Sequence, residues 1–152
     1  MSKRIAAMII LRSGSRYLLL RRNNEPNKGK YVPVGGKLEP HETPRAAASR
    51  ELKEETGFSV APKELIFCGM LTESSPTKYN WICYVYLADI EFQPPPFCDE
   101  GTLKWIDHDH LPTVPTPPTD AAIYECVRRG EQFVFDAEYD AELRMIAMRR
   151  EI

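Results

Sequence analysis

Much of what narrows the class of this chain is what it has little of. It has no long apolar run: the longest, Trp81 to Ala88, is far shorter than the ~20 residues of a membrane-spanning helix. Neither sign of charge dominates, since 20 Lys and Arg against 22 Asp and Glu leave a net charge of −2. No global field therefore asks for nucleic acid or an anionic membrane as partner. Histidine is scarce, and the four cysteines, Cys68, Cys83, Cys98 and Cys126, show no Cys-x-x-Cys spacing. That spacing argues against a zinc site or a disulfide framework. Buried free thiols in a cytoplasmic protein are expected instead. His108-x-His110 could chelate a metal, but isolated in a polar loop it reads as solvated. Lys3-Arg4 followed by Ile5 to Leu11 has the outline of a signal peptide. The run stops at Arg12 with no small-residue cleavage site, so a first strand is expected there. No internal repeat is visible.

What is present is a chain of 152 residues, 43% hydrophobic and 28% charged, the proportions of one globular domain over residues 1–152. Ile5 to Arg12 and Tyr17 to Leu20 read as a hairpin around Ser13-Gly14-Ser15-Arg16. A polar, basic loop follows, Arg21 to Lys30. Tyr31 to Val34 is then a brief strand ending at Gly35-Gly36, with Lys37 to Glu39 resuming it. Further strands are expected over Glu64 to Leu71, Trp81 to Ala88 with Ile90 to Phe92 as an extension, and Leu103 to Ile106. Thr119 and Asp120 open a second helix that Gly130 closes, and Phe133 to Met148 make a last hairpin. Seven of the 13 prolines fall between Pro94 and Pro118, which marks ordered surface loops.

One stretch carries more information than the rest: Gly36-x5-Glu42-x7-Arg50-Glu51-Leu52-x-Glu54-Glu55-x-Gly57-Phe58. Thr43 is a good N-cap, Pro44 suits the first helical position and Gly57 supplies a left-handed C-cap, so a helix is expected from about Pro44 to Thr56. A helix turns roughly 100° per residue, which places Glu51, Glu54 and Glu55 within an arc of roughly 100°. So much negative charge on one stripe calls for a cation, and hard oxygen donors suit Mg²⁺ or Mn²⁺ rather than zinc. Mg²⁺ shares its coordination with water and substrate phosphates, so phosphoryl chemistry follows. A salt-bridged surface helix would explain the glutamates alone, but not the fixed identities outside the helix. Those coincide by chance on the order of once in a million.

This stretch resembles the signature of the Nudix family, the MutT-like pyrophosphohydrolases, at every fixed position. The resemblance implies a Nudix α/β/α sandwich around a mixed sheet, and hydrolysis of a nucleoside diphosphate linked to another moiety X. It implies Glu51, Glu54 and Glu55 as metal ligands for Mg²⁺, with Mn²⁺ as a substitute and a backbone carbonyl of Gly35 or Gly36 alongside. Glu55, or Glu100 on the distant Asp99-Glu100 loop, would take the proton from water. Arg50 would hold the glutamates in place, with Glu42 acting similarly through the helix N-terminus or a bridging water. Lys37, Arg21, Tyr31 and Asp120 are the candidate substrate contacts. Tyr31, Phe67, Tyr79, Trp81 and Tyr124 are the aromatics available to stack on a base.

By the same resemblance the small single-domain members convert (d)NTPs to NMP and pyrophosphate, and that is the expected activity. Hydrolysis of ADP-ribose, dinucleoside polyphosphates or capped RNA is the alternative, and a non-catalytic nucleotide-sensing module is the alternative of another class. The human-type oxidised-purine enzymes carry Trp-Pro-Asp-Asp before the last helix. Here the segment is Pro117-Pro118-Thr119-Asp120, with one aspartate and no tryptophan, and Tyr31-Val32-Pro33-Val34 lacks the asparagine of that group, so specificity for 8-oxoguanine is not expected. The expected partner is a nucleotide, with no membrane and no nucleic acid beyond a capped RNA end. A homodimer fits the family habit.

Overall fold

The computed structural model describes residues 2–152. In chain order the elements are β1 (Arg4–Ser13), β2 (Arg16–Arg22), β3 (Tyr31–Val32), β4 (Val34–Lys37), α1 (Pro44–Thr56), β5 (Ile66–Ser74), β6 (Trp81–Asp89), β7 (Phe97–Cys98), β8 (Gly101–Asp107), α2 (Pro118–Arg129), β9 (Phe133–Tyr139) and β10 (Met145–Arg150). Single 3₁₀ turns sit at Pro62–Glu64 and His108–Thr113. The apolar residues of β1 run almost unbroken, as a strand covered on both faces requires. β1 pairs in parallel with β6 from Arg4↔Trp81 to Arg12↔Asp89, and antiparallel with β2 near the hairpin. The sheet order is β10-β9-β5-β6-β1-β2-β8-β7, with β3 on β2 and β4 on β1. It is mixed, because β5 and β9 are also parallel.

Neighbouring residues of β1 serve opposite layers. Ile10 joins Leu19, Leu71, Val85, Phe133 and the Ile123 face of α2. Ile9 and Leu11 join Leu18, Val34 and the Ala47, Ala48 and Leu52 face of α1. One helix on each face gives the expected α/β/α sandwich. The bounds of α1 are those expected: the Thr43 hydroxyl accepts from the Ala46 N–H at 3.1 Å, and Gly57, at φ 76°, ends the helix with its N–H on the Lys53 carbonyl.

Four boundaries differ from expectation. The two glycines do not end a strand: Pro33 separates β3 from β4, and Gly35 and Gly36 lie inside β4, opposite Met8 and Ala7. Proline has no N–H for the ladder and breaks the strand, while the glycines permit the close pairing, since a Cβ on Gly35 would collide with the Ala7 carbonyl. β5 starts at Ile66, after the 3₁₀ turn, and reaches Ser74, further into the polar loop than its composition suggests. β6 ends at Asp89. Beyond it Phe92 leaves the sheet to pack on Trp105, with the Arg16 guanidinium 4.1 Å from its ring centre. α2 opens one residue early, at Pro118 with Pro117 as cap, so Asp120 falls within its first turn and is buried.

Leu52 is fully buried beneath α1 and anchors the glutamate-bearing helix. Leu52→Ala is expected to lower the unfolding free energy by about 2–5 kcal/mol, read as a shifted denaturation midpoint with unchanged slope.

Candidate active site

Local sequence sets the geometry of the site. α1 packs across β4, so the glutamates of the helix meet the glycines of the strand. Arg50 ties the assembly together. Its guanidinium pairs with Glu42 through both Nε and Nη2, donates from Nη1 to Glu51 at 2.9 Å and Glu54 at 3.2 Å, and donates to the Lys37 carbonyl at 3.1 Å. Its pKa rises in consequence, first through Glu42. Glu42 therefore bonds Arg50 directly, not through the helix N-terminus or a water, while also accepting the Glu39 N–H. The Arg50 partnership holds the Glu42 carboxyl below its ordinary pKa.

Glu51 packs on Gly36, where a Cβ would lie 2.5 Å from the Glu51 carboxyl carbon. Only glycine leaves room for that carboxylate. Burial raises the Glu51 pKa against the opposing pull of Arg50. Glu55 accepts the Gly35 N–H at 2.9 Å. Its pKa is raised to about 9, by burial first and then by the Glu100 carboxyl beside it. The distant acidic loop thus reaches the motif helix, as expected. Glu54 is the outlying member, with its side chain 59% exposed and tied to Arg50.

The donor set fits a hard divalent cation. Glu42, Glu51 and Glu54 share the Arg50 guanidinium while Glu55 and Glu100 stand beside each other, and burial first, then neighbouring carboxyls, push Glu55 toward the neutral form. Glu51, Glu54 and Glu55 could hold the ion, with Gly36 lending its carbonyl. The trio of donors whose ligand atoms lie within 4.8 Å of one another among the described residues is a different one, Asp107, His108 and Asp109; the motif glutamates are spread more widely. Asp107 precedes the His-x-His spacing and Asp109 is its middle residue. They are satisfied internally, with His108 Nε2 3.0 Å from Asp109 and Ser15 donating to Asp107 at 2.6 Å.

A cleft of about 1070 Å³ runs from Gly35, Gly36, Lys37, Glu51 and Glu100 to a deep end at Glu73, Tyr79, Trp81, Asp120 and Tyr139. Of the expected substrate contacts, Lys37 and Asp120 line it. Arg21 and Tyr31 do not: Arg21 is exposed and its neighbour Arg22 takes the wall position, while Tyr31 packs against the α2-side core. In a strand successive side chains alternate faces, so a shift of one residue exchanges wall for solvent. Tyr79 and Trp81 are the expected aromatics that reach the cleft, whereas Phe67 and Tyr124 are core residues. Arg22 and Lys30, members with Arg21, Lys28 and Lys37 of the basic group expected to supply one or two phosphate contacts, also line the cleft, whereas Glu73 and Tyr139 were not anticipated. Glu73 was hidden because Thr72 to Asn80 reads as one polar loop.

A profile of the NUDIX domain matches residues 1–129. The chain is 26% identical over 144 residues to the Nudix hydrolase YvcI of Bacillus subtilis, covering 92% of this chain and 89% of that one. It is 39% identical over 83 residues to YtkD of Bacillus subtilis, whose name proposes an 8-oxo-dGTP diphosphatase, covering 55% of this chain and 48% of that one. Among solved structures it resembles the MutT protein of Bacillus halodurans, with TM-score 0.84, 21% identity and 97% of each chain covered. At that identity the likeness is one of fold.

The raised Glu55 pKa carries a stability consequence. The folded protein retains a proton that the unfolded chain releases near its ordinary pKa of 4.5. Metal-free stability is therefore expected to fall as pH rises from about 5 to about 9. In thermal melts Glu55→Gln should show a shallower decline, and Mg²⁺ should raise the wild-type Tm more at pH 8.5 than at pH 6. Parallel pH profiles for the two proteins would remove Glu55 as the cause.

Proposed function

This chain belongs to the Nudix family, hydrolases of phosphoanhydride bonds, and on that premise we propose a Mg²⁺-dependent diphosphatase that converts a nucleoside triphosphate to monophosphate and pyrophosphate. The observation that carries this reading is the single cleft. It joins Glu51 and Glu100 of the glutamate cluster to an aromatic and hydrogen-bonding end at Glu73, Tyr79, Trp81 and Tyr139, with room for one nucleoside at one end and its phosphates at the other. The name of YtkD points the same way. The buried thiols suit a reducing, cytoplasmic setting. Among the described residues no helix is long and apolar enough to cross a membrane.

The chain's residues divide the work. Glu51, Glu54 and Glu55, with the Gly36 carbonyl, would hold the cation. When bound, Mg²⁺ would neutralise the phosphate oxygens and lower the pKa of the attacking water. Water oxygen bonds to one phosphorus of the α,β linkage as the bond from that phosphorus to the bridging oxygen breaks, the other product departs with the bridging oxygen, and the water's proton passes to a carboxylate. Glu55 and Glu100 stand together for that transfer, with Glu55 oriented by the Gly35 N–H. Arg50 positions Glu51 and Glu54 and keeps their mutual repulsion from splaying them. Lys37 and Arg22 on the cleft wall offer positive charge to the phosphates.

The test is product analysis after incubation with Mg²⁺ and a panel of nucleoside triphosphates, ADP-ribose and dinucleoside polyphosphates. Pyrophosphate released from triphosphates is expected. Turnover of ADP-ribose or dinucleotides alone would reassign the substrate, and binding without any turnover would make the domain a sensor. Glu54→Gln and Glu55→Gln are each expected to lower kcat by about two orders of magnitude or more, with Tm within a few degrees of wild type. Near-normal turnover in both would refute the assigned roles.

A further inference from the structure

The closing hairpin, β9 to β10, lies beyond the residues 1–129 that the NUDIX profile matches. Its tip nevertheless walls the cleft. Leu143, Arg144 and Met145 line it together with Tyr79, Trp81 and Tyr139. Met145 pairs with Tyr139 across the hairpin, so the tip stands beside the aromatic end. Leu143 breaks a local rule there. Its φ is 60°, in the left-handed region that a Cβ makes costly. Hairpin loops place glycine at such a position, and for a bulky side chain the conformation is an outlier. The other non-glycine residue with positive φ among the described residues is Asn27, which also lines the cleft. Asparagine tolerates that conformation and leucine does not.

The turn fixes the leucine from several sides. Its N–H donates to the Asp140 carbonyl at 3.0 Å, and the Asp140 N–H donates to the Arg144 carbonyl at 2.9 Å. The Asp140 carboxylate accepts the N–H groups of Glu142 and Arg144, each at 2.9 Å. None of these bonds uses the leucine side chain, so glycine would make the same turn with less strain. Nor does the core use it: Leu143 is 39% exposed and belongs to neither core layer. A strained side chain on a cleft wall, idle in both turn and core, is what a ligand contact would retain. We propose that Leu143 is a specificity-determining residue: the hairpin tip holds it against the apolar face of a bound base, so that the site favours the larger ring system of a purine. The proposal rests on the reading of the cleft as a nucleotide site. An isobutyl group forms no hydrogen bond and cannot read a base edge. It rewards the apolar area that it covers, and a purine offers more of it than a pyrimidine.

Calorimetry with Mg²⁺ and the α,β-methylene triphosphates of adenosine and cytidine tests it. Both bases carry an amino group beside a ring-nitrogen acceptor, and they differ in ring size. The wild type is expected to bind the adenosine analogue about fivefold tighter or more. Leu143→Ala and Leu143→Gly should each weaken that analogue by about five- to tenfold and the cytidine analogue less, so that the ratio falls toward one. The two variants part in thermal melts. Glycine relieves the left-handed strain, so Leu143→Gly should melt about 2–4 °C above Leu143→Ala. A residue that only shapes the turn would give that Tm difference with both affinities unchanged, and this result would overturn the proposal. Equal affinities of the wild type for the two analogues would overturn it as well. Binding is read without turnover, so the expected pattern stands even if no triphosphate is cleaved. If neither analogue binds the wild type, the nucleotide reading falls and the proposal with it.

Discussion

The site depends on one cation already in the protein, the guanidinium of Arg50. It reaches Glu42, Glu51 and Glu54 and the Lys37 carbonyl at once, so it joins the start of the helix, its middle and the strand edge. Planar, multidentate donation is what arginine does and lysine cannot. Without it, helix α1 would carry an uncompensated stripe of carboxylates against β4. With it, the repulsion is reduced but not cancelled, and the remainder is what suits the cluster to a divalent cation.

The cleft has an unusual distribution of charge, with acids at both ends. At one end the acids share the cleft and its rim with Lys37, Arg22 and Arg50. At the deep end Glu73 and Asp120 stand among aromatic rings with hydroxyl donors and one distant lysine, Lys30. The same residue type is partnered by an arginine at one end and by tyrosine hydroxyls at the other.

How much of this was legible in the sequence varied with the range of the forces involved. α1 was legible to the residue, because Thr43, Pro44 and Gly57 act locally through caps and backbone conformation. That Arg50 would bond glutamates of its own helix was legible because helical spacing fixes their common face. The approach of Glu100 to Glu55 was legible only as a proline-bounded acidic turn. Strand limits were less so: Gly35 and Gly36 look like a strand end but pair inside β4, because the close pairing depends on Ala7, distant in sequence. Arg21 against Arg22 turned on which side of β2 faces the cleft, which a short hairpin does not announce. Glu73 was not legible, since its meaning comes from Tyr139, sixty-six residues later, brought alongside by the parallel β5–β9 pair.

The central claim is that the Arg50-ordered glutamate cluster is a divalent-cation site that acts on a bound polyphosphate. Its most direct measurement is a Mn²⁺ titration followed by electron paramagnetic resonance, with and without a non-hydrolysable triphosphate. Saturable Mn²⁺ binding is expected in the wild type, tightened by the nucleotide and weakened at least about tenfold in Glu51→Gln. Mn²⁺ binding that is non-saturable, or indifferent both to the nucleotide and to Glu51, would contradict the account.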